Sequence, residues 1–413
     1  MSVFEILACV VSLTAGLGYV NAKLLRLPTA IGLMAIALLT SLAVATLGRF
    51  GVLDSAALGA FVQRVDFARV LMHGLLGFLL FAGALHVDLA ELRANRGVIL
   101  LLAVVATLLS TFMVGTATWA LLRWLGHGID LELALLFGAL ISPTDPIAVL
   151  GILKSAKVPE QLAIQISGES LFNDGIGVVV FSVIHAVSLG EHASLGSTVT
   201  LFVREAIGGG LFGVAVGYIG YRVLKSIDDY SIEILITLAI VVGGYAVAER
   251  LEISAPIVAV VSGLVVGNQG RRFAMSDHTR QHVDLFWKLV DELLNAVLFL
   301  LLGLQATQLA LNGFVVLAMA LTIPLTLLAR LVSVAVTAPF LRASMRAPHF
   351  TKILTWGGLR GGLSVALALS LEPGAPREII LALTYAVVTF SILVQGLSLG
   401  WFLRRVAGYD PAT

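Results

Sequence analysis

Leu140-Ile141-Ser142-Pro143-Thr144-Asp145-Pro146 stands in the middle of an apolar stretch long enough to be a helix, and its two prolines forbid a regular one. Each proline removes a backbone donor and clashes with the turn before it. A counterpart lies far along the chain, at Thr355-Trp356-Gly357-Gly358-Leu359-Arg360-Gly361-Gly362, where four glycines surround one arginine. Both breaks interrupt apolar segments, residues 131–153 and 350–371, and they carry charges of opposite sign in Asp145 and Arg360. A helix broken at membrane depth persists only where protein or a water-filled cavity satisfies the freed backbone groups. Paired interrupted spans are also the sequence pointer to a binding site at the membrane midplane.

Composition supports a membrane setting for the breaks. Of the 413 residues, 59% are hydrophobic and 12% charged, with a mean hydropathy of +1.00. Soluble domains carry about 25% charged residues. Apolar stretches of about 20 residues, each able to cross roughly 30 Å of hydrocarbon, recur from end to end. The expectation is an all-α polytopic membrane protein of about 13 spans. Residues 1–188 (spans one to six) and 231–404 (spans eight to thirteen) read as two inverted repeats. Residues 189–230 form a linking seventh span, and 405–413 a short cytoplasmic tail. With the N-terminus outside, inner loops collect 17 Lys and Arg against six in outer loops. That is the positive-inside bias, and it puts the C-terminus in the cytoplasm. The stretch 271–288, ahead of a tenth span at 286–308, is amphipathic and expected in the interface. Net charge is +1, which argues against a nucleic-acid partner, and the single Cys9 excludes a disulfide framework.

Charged residues inside spans are costly, so each needs a purpose. The sixth span reads Ser167-Gly168-Glu169-Ser170-Leu171-Phe172-Asn173-Asp174-Gly175, with Asp174 near its middle. Helical spacing pairs Ser170 with Asp174 and Glu169 with Asn173. One face thus offers a hydroxyl and a carboxylate, oxygen ligands suited to a hard cation. A carboxylate away from water reduces its desolvation penalty by taking a proton or by binding a cation. Should both compete for Asp174, coupled exchange follows, provided the protein changes its facing only when one is bound. Glu169 reads as half of a structural ion pair with an intramembrane arginine, Asn173 as a hydrogen-bonding bridge to the broken helices. Asp145 and Arg360 read as electrostatic supports for the helix ends that meet at the crossing, with backbone carbonyls near Thr144 as possible ion ligands.

These residues resemble the cation–proton antiporter family, in its sodium/proton exchanger branch of NhaP-like bacterial proteins. The resemblance rests on Ser142-Pro143-Thr144-Asp145-Pro146, Gly168-Glu169-Ser170-Leu171-Phe172-Asn173-Asp174, Arg330 and Gly357-Gly358-Leu359-Arg360-Gly361. It implies a homodimer, each protomer with a dimerisation domain and a mobile core that holds the sixth span and the crossed fifth and twelfth. It also implies Asp174 as the aspartate that binds ion and proton, with Ser170 and the Thr144 carbonyl as further ligands. Asn173 would match the asparagine of the electroneutral branch, and Glu169 with Arg330 the family's structural ion pair. One departure concerns the third span, where Ala82 stands in place of a frequent family acid.

The expected activity is electroneutral 1:1 exchange of Na⁺ (or Li⁺) for H⁺ across a cell inner membrane, by alternating access, without a cofactor or enzymatic chemistry. K⁺/H⁺ exchange in the same fold is the alternative, and an uncoupled cation channel a second. Gly208-Gly209-Gly210-Leu211-Phe212-Gly213 fits a dinucleotide pattern but lies within a span, so Gly209, Gly213 and Gly217 read as a helix-packing stripe.

Overall fold

The computed structural model describes residues 2–49, 67–145, 153, 158–189, 195–309, 312–341 and 349–405. Every regular element among them is a helix. The first six are α1 (Val3–Val20), α2 (Thr29–Arg49), α3 (Phe67–Leu85), α4 (Leu89–Trp124), α5 (Leu131–Ile141) and α6 (Glu160–Ser188). Next come α7 (Leu195–Leu224), α8 (Tyr230–Arg250), α9 (Ala255–Val265) and α10 (Asp277–Gln305). The last are α11 (Gly313–Thr337), α12 (Phe350–Trp356), α13 (Gly362–Ser370) and α14 (Ala375–Arg405). Eight of the described helices are long and apolar enough to cross a membrane.

The sequence specifies the helix ends locally. Asp88 caps α4, its Oδ1 accepting from the Ala90 and Glu91 amides at 2.6 and 3.4 Å. Asp229 does the same for α8, and Ser276 caps α10 by accepting from the Thr279 amide at 3.3 Å. Such caps satisfy donors that the first turn leaves without partners. The cap at Ser276 corrects one expectation. The tenth span starts earlier than residue 286, since its helix begins at Asp277 and most of the amphipathic stretch 271–288 is continuous with it. Val283 and Trp287 are fully buried, the Trp287 ring tilted against Phe81 (centroids 4.7 Å apart) and donating its indole N–H to Thr237 Oγ1 at 3.0 Å. These contacts pack one face of the first turns of α10 against the bundle.

Glycines set the tightest contacts. A side chain at Gly209, Gly213 or Gly217 of α7 would press on the carbonyl oxygens of Ser254, Val258 and Ser262, so α7 and α9 meet almost backbone to backbone. The glycine run is therefore a packing stripe inside a helix, with none of the strand–turn context a dinucleotide site requires. Arg204 lies at the exposed end of α7, paired with Glu252 at 2.8 Å.

Several helices open into wide π turns that periodicity does not announce, among them Val70–Leu75, Leu101–Ala106 and Ser391–Gly396. Such turns collect at functional sites. The last of them packs against the broken span.

Candidate functional site: the crossing of two broken helices

Helix α5 stops at Ser142 because Pro143 has no N–H to continue the ladder. The Ser142 hydroxyl hydrogen-bonds back to the Gly138 carbonyl at 2.7 Å and lies 2.9 Å from Ser110 Oγ. Pro146 lies outside the described residues. The other break runs from Gly357 to Gly361, between α12 and α13. The two meet directly, since the Asp145 amide donates to the Leu359 carbonyl at 2.8 Å. Two spans far apart in sequence therefore complete each other's backbone.

Helix α6 crosses beside this junction and fixes it. Asn173 uses both ends of its amide on Thr144: its Oδ1 accepts from the Thr144 N–H at 3.2 Å, and its Nδ2 donates to Thr144 Oγ1 at 2.9 Å. Ser170 Oγ lies 2.9 Å from the same Thr144 hydroxyl. One turn earlier, Glu169 Oε1 pairs with Arg330 of α11 at 2.6 Å, with the side chains only 1% and 2% exposed. Arg330 also donates from Nε to the Leu354 carbonyl at 3.4 Å, tying α11 to α12. Close packing makes these bonds possible. A methyl group at Gly177 would overlap the Pro143 ring, and one at Gly361 would overlap the Asp145 carboxylate. Overpacking of this kind costs about 1–3 kcal/mol. Gly177→Ala is expected to lower the melting temperature of the detergent-purified protein. Gly210→Ala, where a Cβ meets nothing within 4 Å, leaves it unchanged.

The second break has partners that the sequence reading does not include. Ser391 Oγ accepts from the Arg360 amide at 2.9 Å and donates to Gln395 Oε1 at 2.8 Å. Gln395 Nε2 donates to the Trp356 carbonyl at 3.0 Å, so an end carbonyl of α12 is satisfied from α14. The Arg360 guanidinium turns back onto the Gly358 carbonyl. Asp145 lies instead at the start of α13, where the positive end of a helix favours a carboxylate. Two polar residues four apart in an apolar span, Ser391 and Gln395, are the signal that could have found this support.

Asp174 takes a different direction from its neighbours. Whereas Glu169, Ser170 and Asn173 are buried, Asp174 is half-buried and faces a cavity of about 490 Å³. The same cavity is lined by Pro143, Asp145 and Gly361 from the crossing, and by Lys288, Asp291 and Glu292 from α10. Asp174 is thus central along its span and yet reachable by water. Ala82 is buried in the cluster with Phe81 and Trp287, while Leu71, Leu76, Leu79, Leu80 and Gly83 form the α3 wall. A second cavity of about 300 Å³ lies at the far end of α6, lined by Asp130, Glu132, His185, Glu372 and Arg377. His185 is on the same face of α6 as Asp174, about 16 Å away along the axis. Val178 and Phe181, both buried, stand between them on that face, the Phe181 ring stacked on His185 at 5.9 Å.

The site thus joins two broken helices, a carboxylate open to one cavity and buried apolar residues towards a second cavity. Residues 9–405 match the sodium/hydrogen exchanger transmembrane family. The chain belongs to the sodium/hydrogen exchanger family. It is 49% identical to the Na(+)/H(+) antiporter NhaP of Pseudomonas aeruginosa, over 98% of each chain. Similarity to the Na(+)/H(+) antiporter NhaH of Halobacillus dabanensis is 36% identity over 93% of each. Among solved structures, the sodium proton antiporter MjNhaP1 of Methanocaldococcus jannaschii at pH 8 shares the fold, with a TM-score of 0.76, 18% identity and 98% of both chains covered. As a member of the exchanger family the chain is a transporter rather than an enzyme, and a membrane protein.

Proposed function

We propose that this exchanger trades one Na⁺ (or Li⁺) for one H⁺, with cation and proton competing for Asp174. The observation that carries the reading is the charge count at the crossing. Arg330 and Arg360 are matched formally by Asp145 and Glu169, which leaves Asp174 as the one carboxylate whose charge must be met from outside. A proton or a monovalent cation each neutralises it, so both loaded forms carry the same net charge. Ser170 and Thr144 are the neighbouring oxygen ligands, and Asn173 holds Thr144 in place. The names of the relatives support sodium as the cation. In this reading the chain is a homodimer in a cell inner membrane, with its N-terminus outside and its C-terminus cytoplasmic. Residues 1–188 and 231–404 act as inverted halves joined by residues 189–230. The cavity beside α10 is then the cytoplasmic approach, and the one beside His185 the outer approach. K⁺ deserves a place in the same assay, because Ala82 leaves the third span without an acid.

The test is proton flux in proteoliposomes with an internal pH dye, as Na⁺, Li⁺ or K⁺ is added outside. Electroneutral exchange gives a pH change that a valinomycin–K⁺ voltage clamp does not alter. Cation flux without proton movement would instead identify a channel. Competition also fixes a sign. Protons occupy the carboxylate as pH falls, so the Na⁺ concentration for half-maximal exchange rises, by about tenfold per pH unit in the limit of one competing proton. A half-saturation point that ignores pH would overturn the shared site.

A further inference from the structure

The wall of the Asp174 cavity formed by α10 is unusual for a membrane helix. Asp284, Lys288, Asp291, Asn295 and Leu298 follow one another at steps of four, three, four and three, which places them on one face of α10. Lys288, Asp291 and Leu298 line the cavity, with Glu292 beside them. Asp284 is held elsewhere, paired with Arg271 at 2.6 Å. Asn295 falls between two lining positions and is only 5% exposed. Its Nδ2 donates to Asp291 Oδ1 at 3.0 Å and to the Asp291 carbonyl at 2.8 Å, which fixes the orientation of the amide. The other end, Asn295 Oδ1, is buried and accepts no hydrogen bond. A buried polar atom left in that condition is destabilising. A ligand that visits it would explain why the position is polar.

We propose that Asp291 and Asn295 form a capture station for the transported cation on the cytoplasmic approach to Asp174. The proposal rests on the exchange reading above and adds a second place where the cation pauses. A carboxylate and a neighbouring amide oxygen are hard oxygen donors of the kind that replace part of a monovalent cation's hydration shell. The α3 wall offers this cavity only apolar positions, Leu71, Leu76, Leu79, Leu80 and Gly83, so the acid that the third span lacks is supplied from α10. Three other charged or titratable groups act on Asp291. Glu292 adds attraction for a cation, Lys288 opposes it, and His86 at the end of α3 is close enough to act on it electrostatically. The station raises the local cation concentration beside Asp174, and it takes no part in the proton step. It therefore sets the apparent affinity and leaves the maximal rate to the crossing.

The experiment measures the Na⁺ dependence of exchange in everted membrane vesicles, where the cytoplasmic face meets the medium, using the full chain. Asp291→Asn is expected to raise the half-saturating Na⁺ about fivefold, the ratio given by about 1 kcal/mol of lost attraction, with the maximal rate kept. Asn295→Leu shifts it in the same direction, Asp291→Glu restores it, and Lys288→Gln lowers it. The opposite signs at Asp291 and Lys288 are what a merely structural role would not produce. An unchanged half-saturation in Asp291→Asn, or a fall in maximal rate alone, would overturn the station. Failure of Na⁺ to move protons in the wild type would be a failure of the exchange reading instead.

Discussion

Asp174→Asn reduces cation-driven proton movement to the background of empty liposomes while leaving the protein folded. The asparagine keeps the shape of the side chain and mimics its uncharged form, but it can neither release a proton nor offer a full charge to a cation. No other carboxylate at the crossing can replace it, because Glu169 is committed to Arg330 and Asp145 lies against the start of α13. Two readouts separate loss of site from loss of fold. The variant elutes as wild type does in detergent, and its melting temperature responds to Na⁺ far less than that of the wild type. In the wild type, a ligand at 100 times its dissociation constant stabilises the native state by about 2.7 kcal/mol. Exchange that survives in Asp174→Asn would move the site elsewhere.

Glu169→Gln produces the contrary phenotype, a protein that fails to fold well before transport can be asked about. The change leaves the Arg330 guanidinium 2% exposed, with no anion at 2.6 Å to meet it. Removing one partner of a buried pair costs about 3–5 kcal/mol, because the remaining charge stays desolvated. The expected result is a sharp fall in the yield of monodisperse protein and in its melting temperature. The double variant Glu169→Leu with Arg330→Leu regains much of that stability, since an apolar pair of similar size has no charge to bury. Should the double variant be as unstable as the single one, the pair holds the crossing in some way other than by mutual neutralisation.

The two phenotypes show what could be read from the chain. Prolines 143 and 146, the glycines around Arg360 and the acids of the sixth span break strong local rules, so they stand out against an apolar background. Glu169 and Arg330 called for partners on energetic grounds, and the structure brings them together. Ser391 and Gln395 did not stand out, because single polar residues in a span are common and their value depends on facing the broken backbone of another span. The cavity was equally hidden. Helical spacing fixes which residues share a face of α10, but not that this face meets Asp174 across a void. The wide turns escape for a related reason, since one extra residue in a turn changes no hydrophobic pattern. The early start of α10 is hidden in the sequence because Asp284 and Lys288 look interfacial, whereas Trp287 between them is buried.

The bond from the Asp145 amide to the Leu359 carbonyl has a consequence for how the protein is made. A ribosome delivers the first break long before the second exists. Until then the fifth span sits in lipid with its interrupted backbone incomplete, a state costly enough to need shelter from the insertion machinery or from water in its channel. Local helix pairs can form early, whereas this junction waits for nearly the whole chain. Biosynthesis therefore ends on the site: chains arrested before the twelfth span should remain bound to the insertion machinery, and release should coincide with the arrival of Leu359.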